Sequence, residues 1–312
     1  MITLNYPEIP AEKQLVAATG FFDGVHTGHQ TVLRNVAVEA KKQNKKSCVV
    51  TFWPHPRVVL GKDAETLRLL TTIDEKTEII SKLGINYFYL IPFTQKFSQL
   101  SPKQFFQNIL INKVDISQLY IGYNHHFGHN ARAGFDEIKK IGKRFNVDVF
   151  KTEAISCENQ KISSTSIRHL LETGDIENAN AMLGYDYCIR GIVVRGNQIG
   201  RTLGFPTANI QPNAYKMIPR NGVYAVTVKI KNLEYKGMLN IGLRPTLNNT
   251  EKSVIEVNIF DFDEDIYDIT ISVKILKRIR DERFFASLEL LKDQLKQDEL
   301  TVRKIFDSSN IR

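Results

Sequence analysis

The 312-residue sequence is poor in the residues that staple small folds, with three cysteines and one tryptophan. Cys48, Cys157 and Cys188 are odd in number, far apart and free of CxxC spacing. They suggest neither a disulfide framework nor a thiolate zinc site, and a reducing cytoplasm is the expected setting. No apolar run approaches a membrane span, and MITLNYPEIPAEKQ lacks the basic flank and apolar stretch of a signal peptide, so a soluble, unexported protein is expected. Internal repeats and low-complexity tracts are also missing. What is present is ordinary for a chain that buries a core: 42% hydrophobic and 24% charged residues. The length exceeds what one core usually organises and favours two domains. Lys+Arg 42 against Asp+Glu 34 gives a net charge of +8, which suits nucleotides, RNA or an acidic membrane alike.

From Leu15 to about Phe150, β-rich runs such as QLVAATG, SCVVTFW, NYFYLIPF and QLYIGYN alternate with amphipathic stretches such as HQTVLRNVAVEAKK, DEKTEIISKLG and GFDEIKKIGKRF. That rhythm predicts βαβ units in a doubly wound α/β domain with a parallel sheet, where ligands bind beyond the strand ends. The stretch SSTSIRHLLETGDIENANAMLG predicts a further helical segment. From about Tyr187 the texture changes to YCIRGIVVRG, GVYAVTVKI, LEYKGMLNIG, SVIEVNIFDF and DITISVKILKRIR, which predicts a small antiparallel β-barrel. ERFFASLELLKDQLKQDELTVRKIF has helical periodicity and predicts a terminal helix lying on the barrel. The expected division is 1–185 and 186–312.

Two strand ends, one strand and one helix start carry chemistry-bearing residues. After the first strand come Gly20-Phe21-Phe22-Asp23-Gly24-Val25-His26-Thr27-Gly28-His29, then a helix. Helix-start amides attract phosphate, glycines allow close approach of a nucleotide, and imidazoles can donate to oxygens around a phosphorus under attack. Two histidines at a turn also serve simply as caps. Gly196–Asn209 holds Gly200 and Gly204 and has no Walker A pattern; its glycines suit a phosphate-hugging loop or barrel corners. Glu256, in Val254-Ile255-Glu256-Val257, reads on its own as a solvent-facing strand residue, and Ser163-Ser164-Thr165-Ser166-Ile167-Arg168 as an ordinary capped helix start. The clusters Lys41, Lys42, Lys45, Lys46 and Lys139, Lys140, Lys143, Arg144 keep a nucleic-acid-binding reading open, although solvated helix faces explain them more simply.

The strand-turn-helix with both histidines resembles the HxGH signature of nucleotidyltransferases, and Gly-Phe-Phe-Asp-Gly before it resembles the bacterial bifunctional riboflavin kinase/FAD synthetase family. Thr51-Phe52-Trp53-Pro54-His55-Pro56, Ile121–Gly128, the SSTSIR segment, Pro206-Thr-Ala-Asn209, Asn240–Thr246 and Ile279–Phe285 resemble further family motifs in family order. The resemblance implies an N-terminal Rossmann-like nucleotidyltransferase domain and a C-terminal six-stranded antiparallel riboflavin kinase barrel with its terminal helix. It implies phosphorylation of riboflavin to FMN and adenylylation of FMN to FAD, with ATP as co-substrate and Mg2+ in each half. In the first half it implies catalytic roles for His26, His29 and Arg168, nucleotide contacts from Gly20, Phe21, Asp23, Gly24, Gly28, Asn124, Ser164 and Thr165, and flavin contacts from Phe52, Pro54, His55 and Pro56. In the second it implies Glu256 as base, Gly200 and Gly204 against the nucleotide, Arg280 against the flavin, and Thr207 and Asn209 as magnesium ligands. Neither nucleic acid nor membrane is an expected partner, and the oligomeric state stays open. His125, His126 and His129 depart from the family's usual residues, as does Arg195, and a decayed synthetase half is the alternative those histidines carry.

Overall fold

The computed structural model describes residues 1–61, 66–122, 134–152, 156–157, 160–196, 199–245 and 251–309. Two compact units, Met1–Ser164 and Thr165–Arg312, divide the chain.

The first unit is built on strands β1 (Ile2–Asn5), β2 (Leu15–Thr19), β3 (Ser47–Trp53), β4 (Tyr87–Pro92), β5 (Ile116–Ile121) and β6 (Asp148–Lys151). Their order is β1-β4-β3-β2-β5-β6, and every neighbouring pair is parallel. Parallel strands need crossovers, and the helices supply them: α1 (Thr27–Lys42), the short α2 (Pro56–Val59), α3 (Ile73–Ser81), the short α4 (Gln95–Ser98), α5 (Pro102–Phe105) running into a π-helical stretch at Phe106–Ile111, and α6 (Phe135–Arg144). Strand parity assigns the two faces. Val16, Ala18, Val49 and Phe88 pack with Val32, Leu33 and Val36 of α1 and Ile80 of α3. Leu15, Ala17, Cys48, Val50, Tyr87 and Leu119 pack with Phe105, Phe106, Ile109 and Ile138 on the other face. Both sides are covered, so β2 is wholly buried and reads as an unbroken apolar run. The chain builds outward from β2 through β3 and β4, then returns to lay β5 against the other side of β2. At such a reversal of strand order α/β sheets bind ligands beyond the carboxyl ends of the strands, which directs attention to the loop after β2. A two-stranded hairpin, β7 (Ser156–Cys157) and β8 (Gln160–Lys161), precedes α7 (Ser164–Thr173).

The single helical segment expected over SSTSIRHLLETGDIENANAMLG is two helices, α7 and α8 (Ile176–Leu183). Gly174 stands between them at φ +84°, a left-handed conformation that ends a helix, and Asp175 caps the next by accepting from the Asn178 amide.

In the second unit β9 (Tyr187–Val194), β10 (Ala208–Pro212), β11 (Gly222–Ile230), β12 (Leu233–Pro245), β13 (Glu251–Ile259) and β14 (Thr270–Arg280) close a barrel in the order β10-β13-β12-β11-β14-β9, every pair antiparallel. A short α9 (Ile199–Thr202) precedes β10. Ile189, Val226, Val228, Leu239, Ile241, Val257, Val273 and Ile275 are closed to solvent and fill the interior by the two-residue period of strands. On the outer face Ala225, Met238 and Leu276 pack against Leu291, Leu295, Val302 and Phe306 of α10 (Leu288–Ser309). The terminal helix thus lies on the barrel as its periodicity requires. Among the described residues no helix is long and apolar enough to cross a membrane.

Candidate active sites

The loop after β2 is strained. Phe22 lies at φ 52°, Gly24 at φ 78° and Val25 at φ 37°, so a bulky aromatic and a β-branched residue occupy left-handed backbone that costs roughly 1–3 kcal/mol each. Such strain persists only when the surroundings over-determine it. The Asp23 carboxylate, almost wholly buried, accepts from the amides of Leu70 and Thr71 at 3.2 Å each. The Gly24 amide donates to the Thr71 hydroxyl at 3.0 Å. Three carbonyls of the loop are met by side chains: Phe21 by the Lys76 ammonium at 2.6 Å, Asp23 by the Ser164 hydroxyl at 2.9 Å, and Val25 by the Gln30 amide at 3.0 Å. Bonds involving charged groups contribute roughly 1.5–3 kcal/mol each, enough for Asp23 and Lys76 to hold the loop against its strain.

The loop delivers His26 to the start of α1. His26 Nδ1 accepts from the His29 amide at 3.3 Å, so His26 is also a helix cap, and the two imidazoles stack with centroids 3.6 Å apart. The Phe22 ring meets His29 edge-on at 5.3 Å. His26 is 7% exposed; desolvation is the dominant cause that lowers its pKa to about 4, against the opposing pull of Asp23. At neutral pH it is uncharged. Because Nδ1 is an acceptor, the proton of the neutral ring sits on Nε2, which becomes the donor. Gly20 precedes the loop and Gly28 stands between the two histidines, in the first turn of the 16-residue α1, whose free amides and dipole favour an anion.

At the end of β3, Phe52 joins Phe93, Phe97 and Phe105 in an aromatic cluster with centroids 5.5 to 6.2 Å from its own. His55 caps α2 by accepting from the Arg57 amide at 3.1 Å, and its ring meets Phe21 edge-on at 4.1 Å. Pro54 and Pro56 flank it, half-buried. The motif after β2 and the motif after β3 therefore touch through Phe21 and His55. The Ser164 hydroxyl donates to the Asp23 carbonyl within the first unit, whereas Thr165 and Arg168 belong to the second. Asn124, His125, His126 and His129 lie outside the described residues. Lys76, Leu70 and Thr71 escaped sequence reasoning. Lys76 carried a signal nonetheless, since it falls on the Ile73, Lys76, Ile80 row of α3, the face turned to the core.

In the barrel, register assembles the site. Asn209 of β10 pairs with Glu256 of β13, and Asn240 of β12 pairs with the same Glu256. Directly paired residues share a face, and Thr207 precedes Asn209 by two, so Thr207, Asn209, Asn240 and Glu256 all lie on the outer face beside α10. Asn258, next on that face, donates to the Pro206 carbonyl at 2.7 Å and ties down the loop before β10. Gly200 is required sterically: a Cβ there would meet the Phe205 carbonyl at 2.3 Å. Gly204 follows at the end of the same turn.

Two cavities flank this face. One, of about 570 Å3, has an apolar wall that includes Leu203, Phe205, Met238, Phe285 and Leu295 and a polar wall of Thr207, Asn240, Glu256, Asn258 and Arg280. The other, of about 500 Å3, is bounded by Arg201, Pro206, Thr207, Asp263, Asp265 and Tyr267. Thr207 borders both. Glu256 is half-buried rather than solvent-facing. Arg195 lies 5.0 Å from the Tyr267 ring. Arg280, expected against the flavin, lines the larger cavity but spends its fork on Asp298 of α10: Nε to Oδ1 at 2.9 Å and Nη2 to Oδ2 at 2.7 Å. Asp298 is buried and also accepts from Gln294 at 2.9 Å. Asn240 opens a segment that the sequence marks as a motif without a role, and Asp298 and Asn258 were not singled out, because their meaning depends on contacts that only the closed barrel creates.

The chain matches two families in sequence: FAD synthetase over residues 8–166 and riboflavin kinase over residues 183–306. A bifunctional riboflavin kinase/FMN adenylyltransferase of Bacillus subtilis is 38% identical over 301 residues, 95% of this chain and 93% of that protein. One of Listeria monocytogenes is 37% identical over 292 residues, 93% of this chain and 92% of that protein. A crystal structure from Streptococcus pneumoniae, described as a macrolide-efflux protein, superposes with a TM-score of 0.88 at 33% identity, covering 97% of this chain and 99% of that one. Two family matches in tandem and full-length relatives that carry both agree with the two constellations: the chain belongs to the bifunctional riboflavin kinase/FMN adenylyltransferase family.

Proposed function

We propose that residues 186–312 transfer the γ-phosphoryl group of ATP to riboflavin and that residues 1–185 join the resulting FMN to AMP from a second ATP, giving FAD and pyrophosphate, in the cytoplasm. The observation that carries this reading is the outer barrel face, where Asn209 pairs with Glu256, Thr207 and Glu256 line the larger cavity, and Thr207 also borders the second. The larger, aromatic-walled cavity suits the flat flavin ring, and the other suits the nucleotide. Thr207, common to both, then lies where the phosphoryl group passes.

In the kinase step the 5′-hydroxyl of riboflavin attacks the γ-phosphorus. Glu256 accepts the hydroxyl proton, the bond from γ-phosphorus to the β–γ bridging oxygen breaks, and ADP leaves. The Thr207 hydroxyl and Asn209 amide oxygen are hard, uncharged donors on one face with a carboxylate opposite, a set that fits Mg2+ shared with substrate phosphates. When bound, the ion neutralises phosphate charge. Gly200 and Gly204 let backbone amides approach the nucleotide. Arg280 shapes the flavin cavity while anchoring α10.

In the second step the FMN phosphate is already an anion and needs no base. Its oxygen attacks the α-phosphorus of ATP, and pyrophosphate departs. His26 Nε2 and His29 donate to the oxygens around that phosphorus, the α1 amides near Gly28 add to them, and Ser164, Thr165 and Arg168 hold the departing phosphates. Gly20, Phe21, Asp23 and Gly24 fix the loop against the nucleotide, Asn124 borders the transfer site, and Phe52, Pro54, His55 and Pro56 border FMN. Magnesium on the triphosphate serves here as in the barrel.

The deciding experiment is chromatographic product analysis of the purified protein with riboflavin, ATP and magnesium, and separately with FMN. FMN followed by FAD in the first, and FAD in the second, is the expected outcome. FMN alone leaves only the kinase, and no flavin product from folded protein overturns both assignments.

A further inference from the structure

Lys76 takes no part in either step as written, yet it is among the largest side chains that are fully closed to solvent. Its ammonium donates to the Phe21 carbonyl and lies 3.9 Å from the centroid of the Phe21 ring. The Thr51 hydroxyl donates to the same carbonyl at 3.4 Å, and the His55 ring packs edge-on against the same Phe21 ring. Phe21 is thus the joint between the strained loop after β2 and the Thr51–Pro56 loop after β3, and Lys76 grips both its polar and its aromatic part.

A buried ammonium is an expensive way to fill space. Apolar residues of similar volume at such positions are often neutral or stabilising. Desolvation here lowers the Lys76 pKa to about 8 even with the buried Asp23 carboxylate pulling the other way. Glu75, the adjacent carboxylate, is turned to its own helix, where it accepts from the Thr72 amide in a capping box. The cation therefore answers to something other than packing. The carbonyl it holds belongs to the residue immediately before left-handed Phe22, where a small rotation would carry into Asp23, Gly24 and the histidine pair.

We propose that Lys76 is a positioning residue for adenylyl transfer: by fixing the carbonyl and ring of Phe21, it sets the spacing between the loop that presents His26 and His29 and the loop on the flavin side. The ammonium is too deeply buried to touch substrate, so it acts through Phe21. This rests on the reading of the N-terminal half as the place where ATP and FMN meet.

Lys76→Met removes the charge and both contacts but keeps a long unbranched apolar chain. In the full-length protein, FAD formation from FMN, riboflavin phosphorylation and the thermal midpoint are measured on one preparation. The expected result is a kcat for FAD formation reduced roughly 100-fold, the cost of a small misplacement of reacting groups, with the phosphorylation rate and midpoint held. KM for ATP and FMN shifts by less than kcat. Lys76→Arg, which keeps a cationic donor, recovers part of the loss, and Thr51→Val, which removes the weaker donor, gives a smaller one. FAD formation within about twofold of the unmutated chain overturns the proposal. A fall of both activities together with the midpoint also overturns it, because the role is then structural. Should the unmutated chain make no FAD, it is the reading of the N-terminal half that fails. Lys76 is then judged by the imidazole NMR resonances of His26 and His29, which move in Lys76→Met if it sets the loop and stay in place if it does not.

Discussion

The two candidate sites are made in opposite ways. In the N-terminal unit one continuous stretch, Gly20 to His29, supplies the key groups, and its members serve one another: His26 caps the helix that carries His29, and Asp23 fixes the turn that delivers His26. In the barrel the groups come from separate strands, β10, β12 and β13, and are brought together by pairing alone. The first site is a strained loop locked from beneath, and the second a flat patch on a rigid wall. Substitutions in the loop should therefore couple, whereas those on the wall should act one at a time.

The largest effects should separate the two. Glu256→Gln is expected to lower riboflavin phosphorylation on the order of 100- to 10,000-fold, the usual contribution of a positioned base, while FAD formation from supplied FMN is unchanged. His26→Ala is expected to do the reverse, lowering FAD formation roughly 100- to 1,000-fold and sparing phosphorylation. Parallel loss of both rates in either folded variant breaks the comparison. A next, smaller effect concerns the latch on the barrel. Asp298→Ala leaves the Arg280 guanidinium without its charge partner and should destabilise the C-terminal half by about 3 kcal/mol, read as a lower unfolding midpoint, with a raised KM for riboflavin. An unchanged midpoint would mean that α10 is held by Leu295, Val302 and Phe306 without help from the ion pair.

The smallest effect is a titration. The folded chain keeps His26 neutral down to about 4, while the unfolded chain takes up that proton near the ordinary value of 6.5. The unfolded state thus binds more protons between those values, and stability at this site falls as pH drops through the window and is complete above it. By NMR, His26 should show no midpoint between about pH 8 and about pH 5.5. A midpoint near 6.5 would place the ring in water and undo the argument that its tautomer is fixed.

Much of this architecture was legible in the residues. The alternation of β-rich and amphipathic stretches is the physical cause of the parallel sheet, and the outer-face alternation around Glu256 is the cause of its placement. Four strands were not legible: the two-residue β7 and β8, too short to show a period, and β1 and β10. β1 is four residues before a proline and owes its conformation to pairing with β4. β10 is the signature Ala208–Asn209 itself, read as loop because of the glycines and proline before it; it extends because β9 and β13 offer open edges on both sides. Lys76 was hidden by its type, since lysine is ordinarily a surface residue and only its place on the apolar row of α3 argues otherwise. Asp298 was hidden because a helix cannot announce which arginine of a distant strand it will meet.

The pairing of Glu256 with both Asn209 and Asn240 has a consequence for how this barrel tolerates change in length. Neighbouring positions of β13, Ile255 and Val257, point inward. A shift of one residue in this strand would send the carboxylate into the apolar interior and an aliphatic side chain to the phosphoryl group, whereas a shift of two would restore the pattern. Parity thus guards the wall and register guards the chemistry: insertions or deletions in β13 by an even count keep the apolar interior closed but set Val254 or Asn258 opposite Asn209, and only the native alignment puts the carboxylate there.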